Sequence, residues 1–160
     1  MGVLFLTSFD PLKYQRPFLA KMAIETSPFY LWYYPSEIPS WVDLLQNTAL
    51  RPLRIKGLYA YLKLTKFMFS NGVRVVITLN PTLAKVAERC KTTHRHRVII
   101  DYMDVPLSPK LELPKEEAYA ISQADGVIFW SKALMDVVTK KYRLRRFTYI
   151  PSGVNLNVLD

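Results

Sequence analysis

The chain has 160 residues, half of them apolar, and a formal net charge of +9. A chain of this length makes one domain that buries roughly two-thirds of its unfolded surface, so a core forms without staples. Its single cysteine, Cys90, excludes an internal disulfide, which fits a reducing compartment, and no stretch approaches the roughly 18 uncharged apolar residues that cross a bilayer.

The run GVLFLT at 2–7 is a short apolar strand without the positive region of a secretory signal. Ser8, Phe9, Asp10 and Pro11 follow it as a turn. Residues 14–25 carry Phe18, Leu19, Met22 and Ala23 at helical spacing, and the aromatic run 28–34, ended by Pro35, is a second strand. Residues 36–50 are weakly helical at Trp41, Leu44 and Leu45. A longer helix is expected over 52–70, with Leu53, Gly57, Ala60, Leu64 and Met68 on one side, and Asn71-Gly72 stops it.

The period then changes. Val73–Leu79 is a buried-strand run, and Asn80-Pro81 opens a helix to about Cys90, which packs there as a small hydrophobe. Val98–Tyr102 is a strand, and Pro114–Ala124 a helix with Glu116 and Glu117 in its first turn, where the helix dipole favours acids. Gly126–Trp130 is a strand, Ser131 caps a helix to about Tyr142, and Phe147–Ile150 is the last strand. Five or six continuous apolar runs separated by helices predict an α/β, Rossmann-like, mostly parallel sheet with helices on both faces. In such sheets ligands bind at the carboxyl ends of the strands, here the loops after Thr7, Leu79, Tyr102 and Trp130.

Charge adds a second pattern. Between Asp43 and Glu88 there is no acid, while Arg51, Arg54, Lys56, Lys63, Lys66, Arg74 and Lys85 fall in that interval. Further clusters are Arg89–Lys91 with His94–Arg97, and Lys140–Arg146. This field attracts phosphates, acidic lipid headgroups or nucleic acid, and sign alone does not choose among them. His94 and His96, flanked by Arg95 and Arg97, are expected in a solvated loop. Their cationic neighbours disfavour metal binding, and no metal site is expected anywhere. No phosphate-binding glycine fingerprint is present, so no dinucleotide cofactor is expected.

The C-terminal third carries the most specific pattern. The run from Ala124 and Asp125 through Ser131 to Leu134, followed by Tyr149-Ile150-Pro151-Ser152-Gly153-Val154-Asn155, resembles the N-domain end of family-4 (group 1) glycosyltransferases of the GT-B fold. Ser152 and Asn155 stand where that family usually has Asn and Asp. Gln15-Arg16-Pro17-Phe18-Leu19-Ala20 is similar to the start of the family's first helix, and Ile100-Asp101-Tyr102-Met103-Asp104 to the segment after its fourth strand.

The resemblance covers nearly the whole chain, weakly between 36 and 70. It implies that residues 1–160 are the acceptor-side half of a cleft, with a C-terminal nucleotide-sugar domain as the absent partner. It also implies a nucleotide-sugar donor as substrate rather than a cofactor, retention of configuration, and a sugar or lipid-linked acceptor. The isolated chain is expected to be inactive.

Glycosyl transfer needs charge stabilisation at an oxocarbenium-like centre and a group that takes the acceptor hydroxyl's proton. Asp101 and Asp104, at the carboxyl end of a strand, are the candidate catalytic carboxylates; Met103 stands where many relatives place a histidine. Asp10, Arg16 and Ser131 are the candidate substrate-binding residues. Asp10 lies in the first loop, which lacks the family's glycines, and Ser131 caps a helix whose N–H groups face the same edge. The cationic, aromatic helix at 52–70 suits packing under a neighbouring domain or an anionic membrane surface, which places the protein in the cytoplasm or peripherally at the inner face of the cell membrane. The rival reading is a non-catalytic basic module for nucleic acid or another anionic polymer. It lacks any nucleic-acid motif, which makes nucleic acid the less favoured partner.

Overall fold

A computed structural model describes residues 2–7, 29–33, 51–52, 57–79, 81–102 and 112–151. Strands β1 (Gly2–Thr7), β2 (Phe29–Tyr33) and β3 (Arg51–Pro52) precede helix α1 (Gly57–Ser70). Then β4 (Val73–Thr78), α2 (Pro81–Cys90), β5 (Arg97–Tyr102), α3 (Lys115–Gln123), β6 (Gly126–Phe129), α4 (Lys132–Lys141) and β7 (Phe147–Tyr149) alternate. The strands form one sheet in the order β3-β2-β1-β4-β5-β6-β7, and every neighbouring pair is parallel. All carboxyl ends therefore lie along one edge. The order reverses between β1 and β4, which makes that junction the topological switch point.

Side-chain alternation divides the sheet into two faces. Leu4 and Leu6 of β1, Val98, Ile100 and Tyr102 of β5, and Val127 and Phe129 of β6 join one apolar cluster. Leu64 and Met68 of α1, Ala84, Ala87 and Cys90 of α2, Ala120 and Ile121 of α3, and Leu134 and Val138 of α4 close over it. Small residues on α2 and α3 let those helices approach the sheet and each other. Val3, Phe5, Ile77 and Ile128 are also buried, yet they lie outside that cluster, on the alternate positions of their strands. The helix expected at 14–25 and the weak one at 36–50 lie outside the described residues.

Leu64 and Met68 point inward as the helical spacing predicts, and Asn71 and Gly72 end α1. Gly72 adopts φ +57°, a left-handed conformation that glycine accepts without steric cost, and the Asn71 side chain donates to the Phe67 carbonyl at 2.8 Å. The helix begins later than its periodicity predicts. Arg51 and Pro52 instead pair with Trp32 and Tyr33 as a seventh strand, beyond the five or six legible as apolar runs. Proline is tolerated there because β3 is an edge strand with no further neighbour needing its missing N–H.

The His94–Arg97 segment corrects the expectation of a solvated loop. His94 and His96 are buried, and their rings stack with centroids 5.5 Å apart. His94 Nε2 lies 2.6 Å from the Val73 carbonyl, and the two His96 ring nitrogens lie 2.7 Å from the His94 carbonyl and 3.0 Å from that of Ala87. Burial pushes the His96 imidazole below its usual range, against the two carbonyl contacts, which favour the charged form. In this lead into β5 burial alternates: the histidines go inward and the arginines outward.

A polar latch closes the amino end of β5. Asp125 accepts from the Val98 N–H at 2.8 Å, and its own N–H donates to the Val98 carbonyl at 2.9 Å. Lys91, at the end of α2, bridges Asp125 and Glu88, and Arg145 adds a second cation at 3.5 Å. Burial alone would raise the Asp125 pKa. The Lys91 and Val98 hydrogen bonds and the Lys91 and Arg145 charges outweigh it and hold the carboxyl below its ordinary value. A folded value below the unfolded one of about 3.9 puts this contribution in force above that pH and removes it as the pH falls through the folded value. We expect Asp125→Asn to cost about 1–2 kcal/mol at neutral pH. The deficit should shrink toward pH 3 in urea unfolding; a deficit that does not change with pH would mean the charge contributes nothing.

Candidate functional site at the carboxyl edge of the sheet

Asp101 and Ile128 are register partners on β5 and β6, so their side chains share the face opposite the main cluster. Trp130 lies two residues beyond Ile128 and continues that face. Its indole reaches diagonally across, and Nε1 donates to Asp101 Oδ1 at 2.7 Å. Asp101 is fully buried. The carboxylate therefore lies under the edge and holds an aromatic ring at it.

On the other face, Tyr102 packs edge-on against Phe129 and donates from its hydroxyl to Glu117 of α3 at 2.7 Å. Burial, followed by the neighbouring Glu117 carboxylate, pushes the phenol strongly upward, so it acts as a donor throughout the ordinary pH range. This bond ties the end of β5 to the first turn of α3.

Ser131 follows Trp130 at the same edge and caps α4. With φ −121° and ψ 129° it stays extended, and its Oγ accepts from the Leu134 N–H at 3.3 Å. The residue is exposed. Of the sequence-predicted site residues, the structure thus brings Asp101 and Ser131 to one edge, joined through Trp130. Asp104, two residues beyond β5 in sequence, lies outside the described residues, as do Asp10 and Arg16. Trp130, expected at the end of a strand, was not among the predicted site residues. Its signal was positional: it stands one residue past the end of a strand paired in register with the Asp101 strand.

Among the described residues, no group of three or more His, Cys, Asp or Glu side chains has metal-binding geometry, and no helix is long and apolar enough to cross a membrane. The edge thus presents an indole, held from beneath by a buried carboxylate, and a capped helix start, on a parallel sheet with a switch point between β1 and β4. Together these residues form the rim of the sheet at the ends of β5 and β6.

No protein-family model matches the chain, and no curated protein matches it in sequence. Its shape does match solved structures. Anabaena HepE in complex with UDP-glucose superposes with a TM-score of 0.72 at 16% identity, over 99% of this chain and 45% of that one. The chain has the fold of one half of a GT-B glycosyltransferase. Sucrose-phosphate synthase from Thermosynechococcus elongatus superposes with a TM-score of 0.71 at 12% identity, over 99% of this chain and 49% of that one. The lipopolysaccharide outer core galactosyltransferase WaaB, in its apo form, gives 0.67 at 10% identity, over 98% and 47%. The chain thus spans about half the length of each of these proteins. At these identities the likeness is one of fold, and the Asp101–Trp130–Ser131 rim occupies the edge where such folds bind ligands.

Proposed function

We propose that the chain is the N-terminal, acceptor-binding half of a nucleotide-sugar-dependent glycosyltransferase of the family-4 type, acting with retention of configuration. The observation that carries the reading is the superposition of the whole chain on less than half of a protein solved with UDP-glucose, with the sequence motifs at Ala124–Leu134 and Tyr149–Asn155 in support. In this reading a second Rossmann-like lobe holds most of the donor and closes over the carboxyl edge. Asp104 takes the acceptor hydroxyl's proton as that oxygen bonds to the anomeric carbon from the face that the nucleoside diphosphate leaves with the electron pair of the broken bond, which retains the configuration. Asp101 holds Trp130 as part of the acceptor floor, while Asp10, Arg16 and the start of α4 at Ser131 contact substrate oxygens.

The acceptor is a sugar or a lipid-linked sugar, and the reaction takes place in the cytoplasm or at the inner face of the cell membrane. Exposed Leu62 and Phe69 on α1, beside the cations Lys63 and Lys66, support contact with an anionic membrane surface.

Two experiments test the proposal. Amide chemical shifts of the isolated chain should move at Tyr102, Trp130 and Ser131 when acceptor sugars are titrated in. A chain joined to a second Rossmann-like lobe should transfer label from a UDP-sugar, which the 160-residue chain alone should not do. Shifts confined to other surfaces, together with retention of single-stranded oligonucleotide at physiological salt, would replace this reading with that of a basic binding module.

A further inference from the structure

At the amino edge of the sheet, opposite the rim just described, Arg74 is the second residue of β4 and Arg97 the first of β5. With Arg95, Val75 and His96 they line an open depression of about 480 Å³. All three arginines are exposed, and no described carboxylate forms an ion pair with any of them. The ring nitrogens of His94 and His96 are engaged with backbone carbonyls, so these residues anchor the segment rather than bind a ligand. Arg95 and Arg97 alternate with these anchors and stand outward on a backbone fixed from beneath. Arg74 is drawn to the same place, with Nη1 3.5 Å from the Arg95 carbonyl.

Three guanidinium groups around one hollow repel each other, and an anion between them removes that repulsion. The guanidinium fork matches phosphate oxygens two at a time, and three forks suit a tetrahedral anion with several oxygens better than a carboxylate. A fixed backbone reduces the ordering that binding would otherwise require. The open side leaves room for whatever the phosphate is attached to.

We propose that Arg74, Arg95 and Arg97 form a binding site for a phosphate-bearing ligand, supplied by a soluble phosphate ester or by a phospholipid headgroup. The site does not depend on the transferase reading, because it lies at the other end of the strands and uses none of the rim residues.

Calorimetric titration of the 160-residue chain with inorganic pyrophosphate at low ionic strength tests it. Saturable binding is expected, weakened about tenfold by each of Arg74→Gln, Arg95→Gln and Arg97→Gln. The variant carrying Lys115→Gln and Lys132→Gln, at the helix starts along the opposite edge of the sheet, removes more charge than any single arginine variant and should bind within about threefold of the parent. Thermal melting confirms that each variant is folded. Co-sedimentation with phosphatidylcholine vesicles, with and without phosphatidylglycerol, then separates the sources. If the three arginine substitutions abolish pelleting as well, the ligand is a lipid headgroup; if they abolish only pyrophosphate binding, it is a soluble ester. Absence of saturable pyrophosphate binding, or an equal loss in the remote charge variant, would overturn the proposal.

Discussion

Asp101→Ala is expected to destabilise the chain by about 2–3 kcal/mol, while Asp101→Asn should leave stability within about 1 kcal/mol of the parent. Alanine removes the acceptor of the 2.7 Å bond from Trp130 Nε1 and opens a small void at a position with no solvent access. Asparagine keeps an acceptor oxygen and nearly the same volume but discards the charge. Urea unfolding of both variants reads the first difference. If asparagine is as harmful as alanine, the negative charge itself holds the structure. The pair also bears on the chemistry. A two-lobed enzyme that keeps most of its kcat with Asp101→Asn would make Asp101 a positioning residue for the indole, whereas a large loss without loss of stability would call for the negative charge near the reacting sugar.

Asp104→Asn should have the larger effect on catalysis. A positioned general base contributes roughly 10²- to 10⁴-fold to rate, and the amide cannot take the proton. In the two-lobed enzyme kcat should fall by that order, with a smaller change in KM. The dependence of the residual rate on pH should lose its acidic limb, because the group whose deprotonation created it is gone. An unchanged kcat would remove Asp104 from the mechanism and leave proton transfer to a group on the other lobe.

The parallel sheet was legible because each of its central strands is a continuous apolar run with a strong stop behind it, such as Asn71-Gly72 before β4. The helix ends were legible where a specific residue fixes them, as Ser131 does for α4. The edge was less so. Pro52 fits the first turn of a helix as well as it fits an edge strand, and the pairing of Arg51 and Pro52 with β2 decides the matter through contacts made between distant parts of the chain. The histidines misled for a related reason. Composition marked 94–97 as a cationic loop, but the alternation of imidazole and guanidinium was already the period of an extended segment, with one polar set able to bond backbone carbonyls inside. At the candidate site Asp101 was visible as a carboxylate at a strand end. The indole that it holds was not, because the bond crosses between two strands and depends on their register.

The strand order has a consequence for synthesis of the protein. Of the seven described strands β1 is made before the others, yet its final place is the middle of the sheet, between β2 and β4. One side of its ladder meets β2 early. The other waits until Val73–Thr78 have been made, because Gly2 pairs with Val73 and Leu6 with Thr78. Over that interval the nascent chain carries Leu4, Phe5 and Leu6 on a ribbon with one raw edge, open to the wrong neighbour. Once β4 arrives, each remaining strand can be added beside the previous one as translation proceeds. Slow passage of the ribosome between the codons for β1 and β4 should therefore favour misassembly more than slow passage between β4 and β7.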